Sequence, residues 1–158
     1  MIYGTIHADG HTANSLFANE DTVHRFNPTF TPRLLRQTFL DHGMEINTPD
    51  LNSGREVAFE LHLEGRPLGE QRLPRYLIAL ENPNINKLNA DSTYCQQFDQ
   101  VFAWDKRLFH LPNVVPILIP HPMVAQDFPG LDARPIFSCL INANKAFKEV
   151  LPTDLYLE

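Results

Sequence analysis

Glu81-Asn82-Pro83 closes the apolar run Tyr-Leu-Ile-Ala-Leu at residues 76–80. A carboxylate placed where a buried strand leaves its sheet suits general-base work, because a partly dry crevice raises its pKa towards neutrality. Asn82 offers an amide beside it and Pro83 fixes the turn; the same acid could instead cap the next segment or pair with Lys87. His7-x-Asp9-x-His11 carries donor types that suit zinc or a similar divalent ion, and in an extended chain the three side chains would share one face. A surface loop around Gly10 is the competing reading. Trp104-Asp105-Lys106-Arg107 sets an aromatic plate beside charges, whereas Tyr94, Phe98, Phe102 and Phe109 read as core. His121, stiffened between Pro120 and Pro122, is a candidate ligand contact, and His62 reads as a structural histidine with its hydrogen bonds satisfied. The chain has no glycine-rich phosphate loop, G-x-S-x-G elbow or H-E-x-x-H motif. Those absences argue against nucleotide hydrolases, serine hydrolases and metalloproteases.

The elements that must position these residues are short, since 13 prolines punctuate the chain. Residues 1–8 form a first strand. Thr31 as N-cap and Pro32 in the first helical position open a helix over 32–42, which Gly43 stops. A strand at 44–48 follows. Val57, Phe59, Leu61 and Leu63 alternate with Glu60 and His62, the period of a half-buried strand over 57–63. The run at 76–80 is apolar on both faces and suits a central parallel strand. A helix over 89–98 leads to a strand at 100–104. The strand at 114–119 contains Pro116, which lacks a ladder donor and places it at an edge. A last strand covers 136–141. Strands alternating with helices in this way predict a three-layer α/β sandwich with a mainly parallel sheet, whose ligands sit beyond the carboxyl ends of the strands.

Composition sets the bounds. A chain of 158 residues is the size of about one domain, and 43% hydrophobic with 20% charged residues supports a core. Thirteen basic against 19 acidic residues leave a net charge of −6, which opposes binding to nucleic acid or an anionic bilayer. There is no apolar run of about 18 residues and no secretory signal. Cys95 and Cys139 share no metal or redox spacing and read as reduced thiols of a cytosolic protein.

The stretch 76–109, Y-L-I-A-L-E-N-P-N-I-N-K … F-D-Q-V-F-A-W-D-K-R-L, resembles the acceptor-side domain of the family 10 glycosyltransferases. These are the α-1,3-fucosyltransferases and their bacterial relatives. The segment 32–43, the N-T-P-D turn at 47–50, F-E-L-H-L at 59–63 and the stretch 136–145 are similar in the same order. The resemblance implies a GT-B architecture of two Rossmann-like domains, with 1–133 as the acceptor-binding domain and 134–158 as the crossover into a donor domain. It implies inverting transfer of fucose or a related sugar from a GDP-sugar, with no cofactor or metal, to a surface glycan such as lipopolysaccharide. Glu81 then takes the general-base position, Asn82, Trp104 and His121 line the acceptor crevice, and Asn144 lies on the donor side. Ala143 stands where the family often has serine, and the donor domain's leaving-group contacts have no counterparts, so the isolated chain is expected to be inactive. The complete enzyme would be cytoplasmic or peripheral to the inner membrane. The alternatives are a non-catalytic carbohydrate- or partner-binding domain and a small metal-dependent hydrolase using His7, Asp9 and His11.

Overall fold

The computed structural model describes residues 1–18, 29–70 and 73–118. His121, Cys139, Asn144, the strand expected at 136–141 and the 133/134 boundary lie outside these residues. Among the described residues six strands form one sheet: β1 (Ile2–His7), β2 (Met44–Asn47), β3 (Val57–Leu63), β4 (Arg75–Ala79), β5 (Gln100–Ala103) and β6 (Val114–Pro116). Their order is β2-β1-β3-β4-β5-β6, and every pairing is parallel. The chain leaves β1 for one edge, returns across it to β3 and then continues outward. Its direction therefore reverses between β1 and β3.

Apolar side chains from both faces build the core, as a parallel sheet requires. On one face Ile6, Ile46, Phe59 and Leu61 pack with Leu16 and Phe17, backed by Leu35 and Phe39 of helix α1 (Phe30–Asp41). Gly4 lies under the Phe59 ring, where any Cβ would collide with it. On the other face Leu77, Ala79, Val101 and Ala103 pack with Tyr94, Cys95, Phe98, Leu108 and Leu111. Helix α2 (Ser92–Cys95) lies in this second layer. Cys95 is a buried free thiol, and burial pushes its pKa up to about 11. Among the described residues no helix is long and apolar enough to cross a membrane.

Two local expectations change. Helix α1 starts one turn-fraction earlier, at Phe30, with Thr29 before it, so Thr31 is helical and no cap. Pro32 still falls in the first turn, where its missing N–H costs no intrahelical bond. Gly43 ends the helix at φ 74°, as its freedom from a Cβ allows. The helix expected over 89–98 breaks into a 3₁₀ turn at Lys87–Ala90 and the four residues of α2. Asp91 causes the break: its carboxylate accepts the N–H groups of Thr93 and Tyr94, restarting the chain there. Asn113 then closes it by donating to the carbonyls of Cys95 and Phe98. Pro116 does sit on the outermost strand of the described sheet.

Candidate functional site

In an open parallel sheet, ligands bind beyond the carboxyl ends of the strands where the strand order reverses. Here that point lies between β1 and β3. His7 is the last residue of β1 and His62 the penultimate residue of β3, and the register sets them side by side. Their rings stack at 4.5 Å between centroids and 17° between planes. Glu60 shares their face, two residues before His62. Its carboxylate lies 3.7 Å from His7 Nε2 and 3.5 Å from His62 Nε2, and it accepts a 2.8 Å bond from Arg75 Nε on β4. His62 is 3% exposed. Neither of its ring nitrogens, nor His7 Nε2, makes a hydrogen bond of good geometry, the long contacts to Glu60 being ion-pair distances. A polar cleft of about 290 Å³ opens against His7 and Glu60, walled by Thr5, Asn52, Ser53 and Arg55.

Burial is the main reason both imidazoles lose basicity. His7 falls below its ordinary value, and His62 is pushed down to about 4, although Glu60 pulls each upward. Burial also works to raise the Glu60 carboxyl, but the bond and charge of Arg75, with the facing histidines, leave it below the usual carboxylate value. The unfolded chain therefore takes up histidine protons first as pH falls from the ordinary 6.5. Stability from the neutral, buried His62 is complete above about 6.5 and drains away down to about 4. Thermal melts of metal-free protein across this window should show Tm falling with pH, with a shallower fall in His62→Gln. A Tm independent of pH in wild type would contradict a buried neutral His62.

A second hub lies at the carboxyl end of β4. Glu64 adopts φ 67°, which residues other than glycine rarely take. Its carboxylate accepts the N–H groups of Leu80, at 3.1 and 3.2 Å, and of Glu81, at 3.0 Å. Buried Asn89 donates to Glu64 Oε2 at 2.5 Å and to the Glu81 carbonyl at 3.1 Å, while its Oδ1 accepts the Gly65 N–H at 2.7 Å. Trp104 donates its indole N–H to the Leu80 carbonyl at 2.8 Å. The backbone of Glu81 is thus clamped on both sides, and the Trp104 ring is tied to the residue before it.

Of the sequence-derived candidates, the structure brings Glu81, Asn82 and Trp104 to this strand end. Glu81 is exposed, so the described residues supply none of the drying expected of its crevice. Asn82 shapes the turn: its Oδ1 accepts the Asn84 N–H, and its carbonyl accepts those of Ile85 and Asn86. His7, Asp9 and His11 do not converge. The strand stops at His7 and Gly10 turns at φ 77°, so no extended chain carries all three on one face. Asp9 pairs with Arg66 at 2.8 Å, and His11 Nδ1 lies 3.2 Å from Ser15 Oγ. His62 is buried against Glu60 at 3.5 Å without a hydrogen bond of good geometry, and the face it shares with Glu60 is covered, not solvated. The partners of His7 escaped sequence reading because strand register alone unites them; the alternation Glu60-x-His62 was the only local sign. Glu64 and Asn89 carried no motif.

Neither family models, curated proteins nor solved structures gave a significant match to this chain. Its fold and sites define the class: a mixed α/β protein with a six-stranded parallel sheet and polar side chains gathered at the carboxyl ends of its strands.

Proposed function

We propose that this chain is the acceptor-binding part of an inverting glycosyltransferase of the family 10 kind, with Glu81 as the general base. The observation that supports it best is the clamped backbone of Glu81, an exposed residue at the carboxyl end of β4, next in the chain to the Leu80 carbonyl that accepts the Trp104 indole N–H. An indole offers an apolar plate for a sugar ring, and the carboxylate can take the proton of a hydroxyl held against it. In the reaction the acceptor oxygen forms a bond to the anomeric carbon as its proton passes to Glu81. The bond from that carbon to GDP breaks on the opposite side, inverting the centre, and the departing diphosphate is stabilised by the donor domain that such an architecture requires. A glycan that covers Glu81 would supply the desolvation that the described residues do not. Asn82 holds the turn beside the base.

The gene product isolated from its source cells should release GDP from a GDP-sugar only when a surface-type oligosaccharide is present. Mass spectrometry should find that glycan heavier by one sugar. Glycan binding without transfer from any GDP-sugar would replace this reading with a non-catalytic carbohydrate-binding domain. Neither binding nor transfer would overturn both.

A further inference from the structure

We propose that His7, Glu60 and His62 form a site for one divalent transition-metal ion of the zinc class, independent of Glu81. Three ligand atoms from two adjacent strands lie within 4.8 Å of one another. Two ligand atoms bound tetrahedrally at about 2.0–2.1 Å from zinc stand roughly 3.3 Å apart. His7 Nε2 lies 3.7 Å from Glu60 Oε1 and His62 Nε2 3.5 Å from Glu60 Oε2, so one ion is held once a ring turns out of the 17° stack and both in-plane lone pairs meet beside one carboxylate oxygen.

The second observation is independent of this spacing. Buried polar atoms are almost always hydrogen-bonded, yet the ring nitrogens of nearly inaccessible His62, and Nε2 of His7, make no hydrogen bond of good geometry. A cation accepting one lone pair from each imidazole satisfies His7 Nε2 and one of the two His62 nitrogens. Two imidazoles and one carboxylate are a ligand set that zinc takes in three-ligand sites with an open position. The polar cleft against His7 and Glu60 provides that opening.

The surroundings also fit. Arg75 holds Glu60 Oε2 and so leaves Oε1, the oxygen nearest His7, to face the ion. A ligating carboxylate is commonly oriented by such a hydrogen bond. The positive charges of Arg75, Arg66 and Arg55 around the site weaken cation affinity and favour an anionic oxygen in the open position. The metal should therefore bind more tightly when a small anion such as phosphate is present.

The whole chain, stripped of metal by chelator and then freed of it, should bind one equivalent of Co²⁺ and develop the visible absorption of low-coordinate cobalt with nitrogen ligands. Zn²⁺ should displace it and raise Tm. His62→Gln and His7→Gln should each weaken binding by at least about tenfold, with circular dichroism checking that they fold. His7 is the safer variant, its side chain being 25% exposed. Failure of folded wild type to bind one equivalent, or binding by folded His7→Gln as tight as wild type, overturns the site.

Discussion

On the proposed reading, Glu81→Gln should lower sugar transfer by the gene product at least about a hundredfold and leave glycan binding unchanged. The substitution removes the proton acceptor while keeping the side chain's shape. Two bonds hold the backbone of residue 81, from its N–H to Glu64 and from Asn89 to its carbonyl. These backbone bonds survive the change. Because residue 81 is exposed, Tm should stay within the small range typical of surface substitutions. The kinetic signature is a fall in kcat with little change in KM, since the base acts in the transition state and contributes little to holding the acceptor. Turnover at the wild-type rate would remove Glu81 from the mechanism.

Asn89→Ala carries the largest expected effect on stability. Its 2% exposed amide serves the Gly65 N–H, the Glu64 carboxylate and the Glu81 carbonyl together. Removing one partner from a buried polar group costs about 1–3 kcal/mol, and the three groups are neighbours whose losses do not simply add. A total of about 3 kcal/mol is expected, or roughly 6–12 °C in Tm for a chain of this length. Asn89→Asp separates the two parts of the role. It keeps the acceptor for Gly65 but sets a second carboxylate against Glu64, so its loss should grow as pH rises above the carboxylate range. Both variants should also impair transfer, although Glu81 itself is intact. A melt of Asn89→Ala within about 1 kcal/mol of wild type would show that the hub does not hold the end of β4.

These two residues also mark how far the sequence could be read. The alternation at 57–63 matches β3 residue for residue, and the doubly apolar run at 76–80 lies one residue from β4. Both signals are local, because side chains alternate by backbone geometry alone. Gly43 and Pro116 were legible for the same reason: a positive φ and a missing N–H constrain the chain wherever they fall. The helix expected at 89–98 was not, since its apolar spacing competes with an Asp91 side chain that bonds to the backbone it precedes. Glu81 could be placed at a strand end, but Glu64 and Asn89, which secure it, stand 17 residues before and eight residues after it.

The sequence by itself determined an α/β chain, the approximate positions of its six described strands and one acid at the end of an inner strand, because periodicity and turn chemistry act over a few residues. Only the tertiary structure decided which polar groups meet. His7 was expected beside Asp9 and His11, its neighbours along the chain; the register of β1 on β3 instead sets it against Glu60 and His62, more than fifty residues away. Register is a relation between strands, chosen by burying Ile6, Phe59 and Leu61 together on the opposite face. The apolar side chains of one face thereby settled the company kept by the histidines on the other.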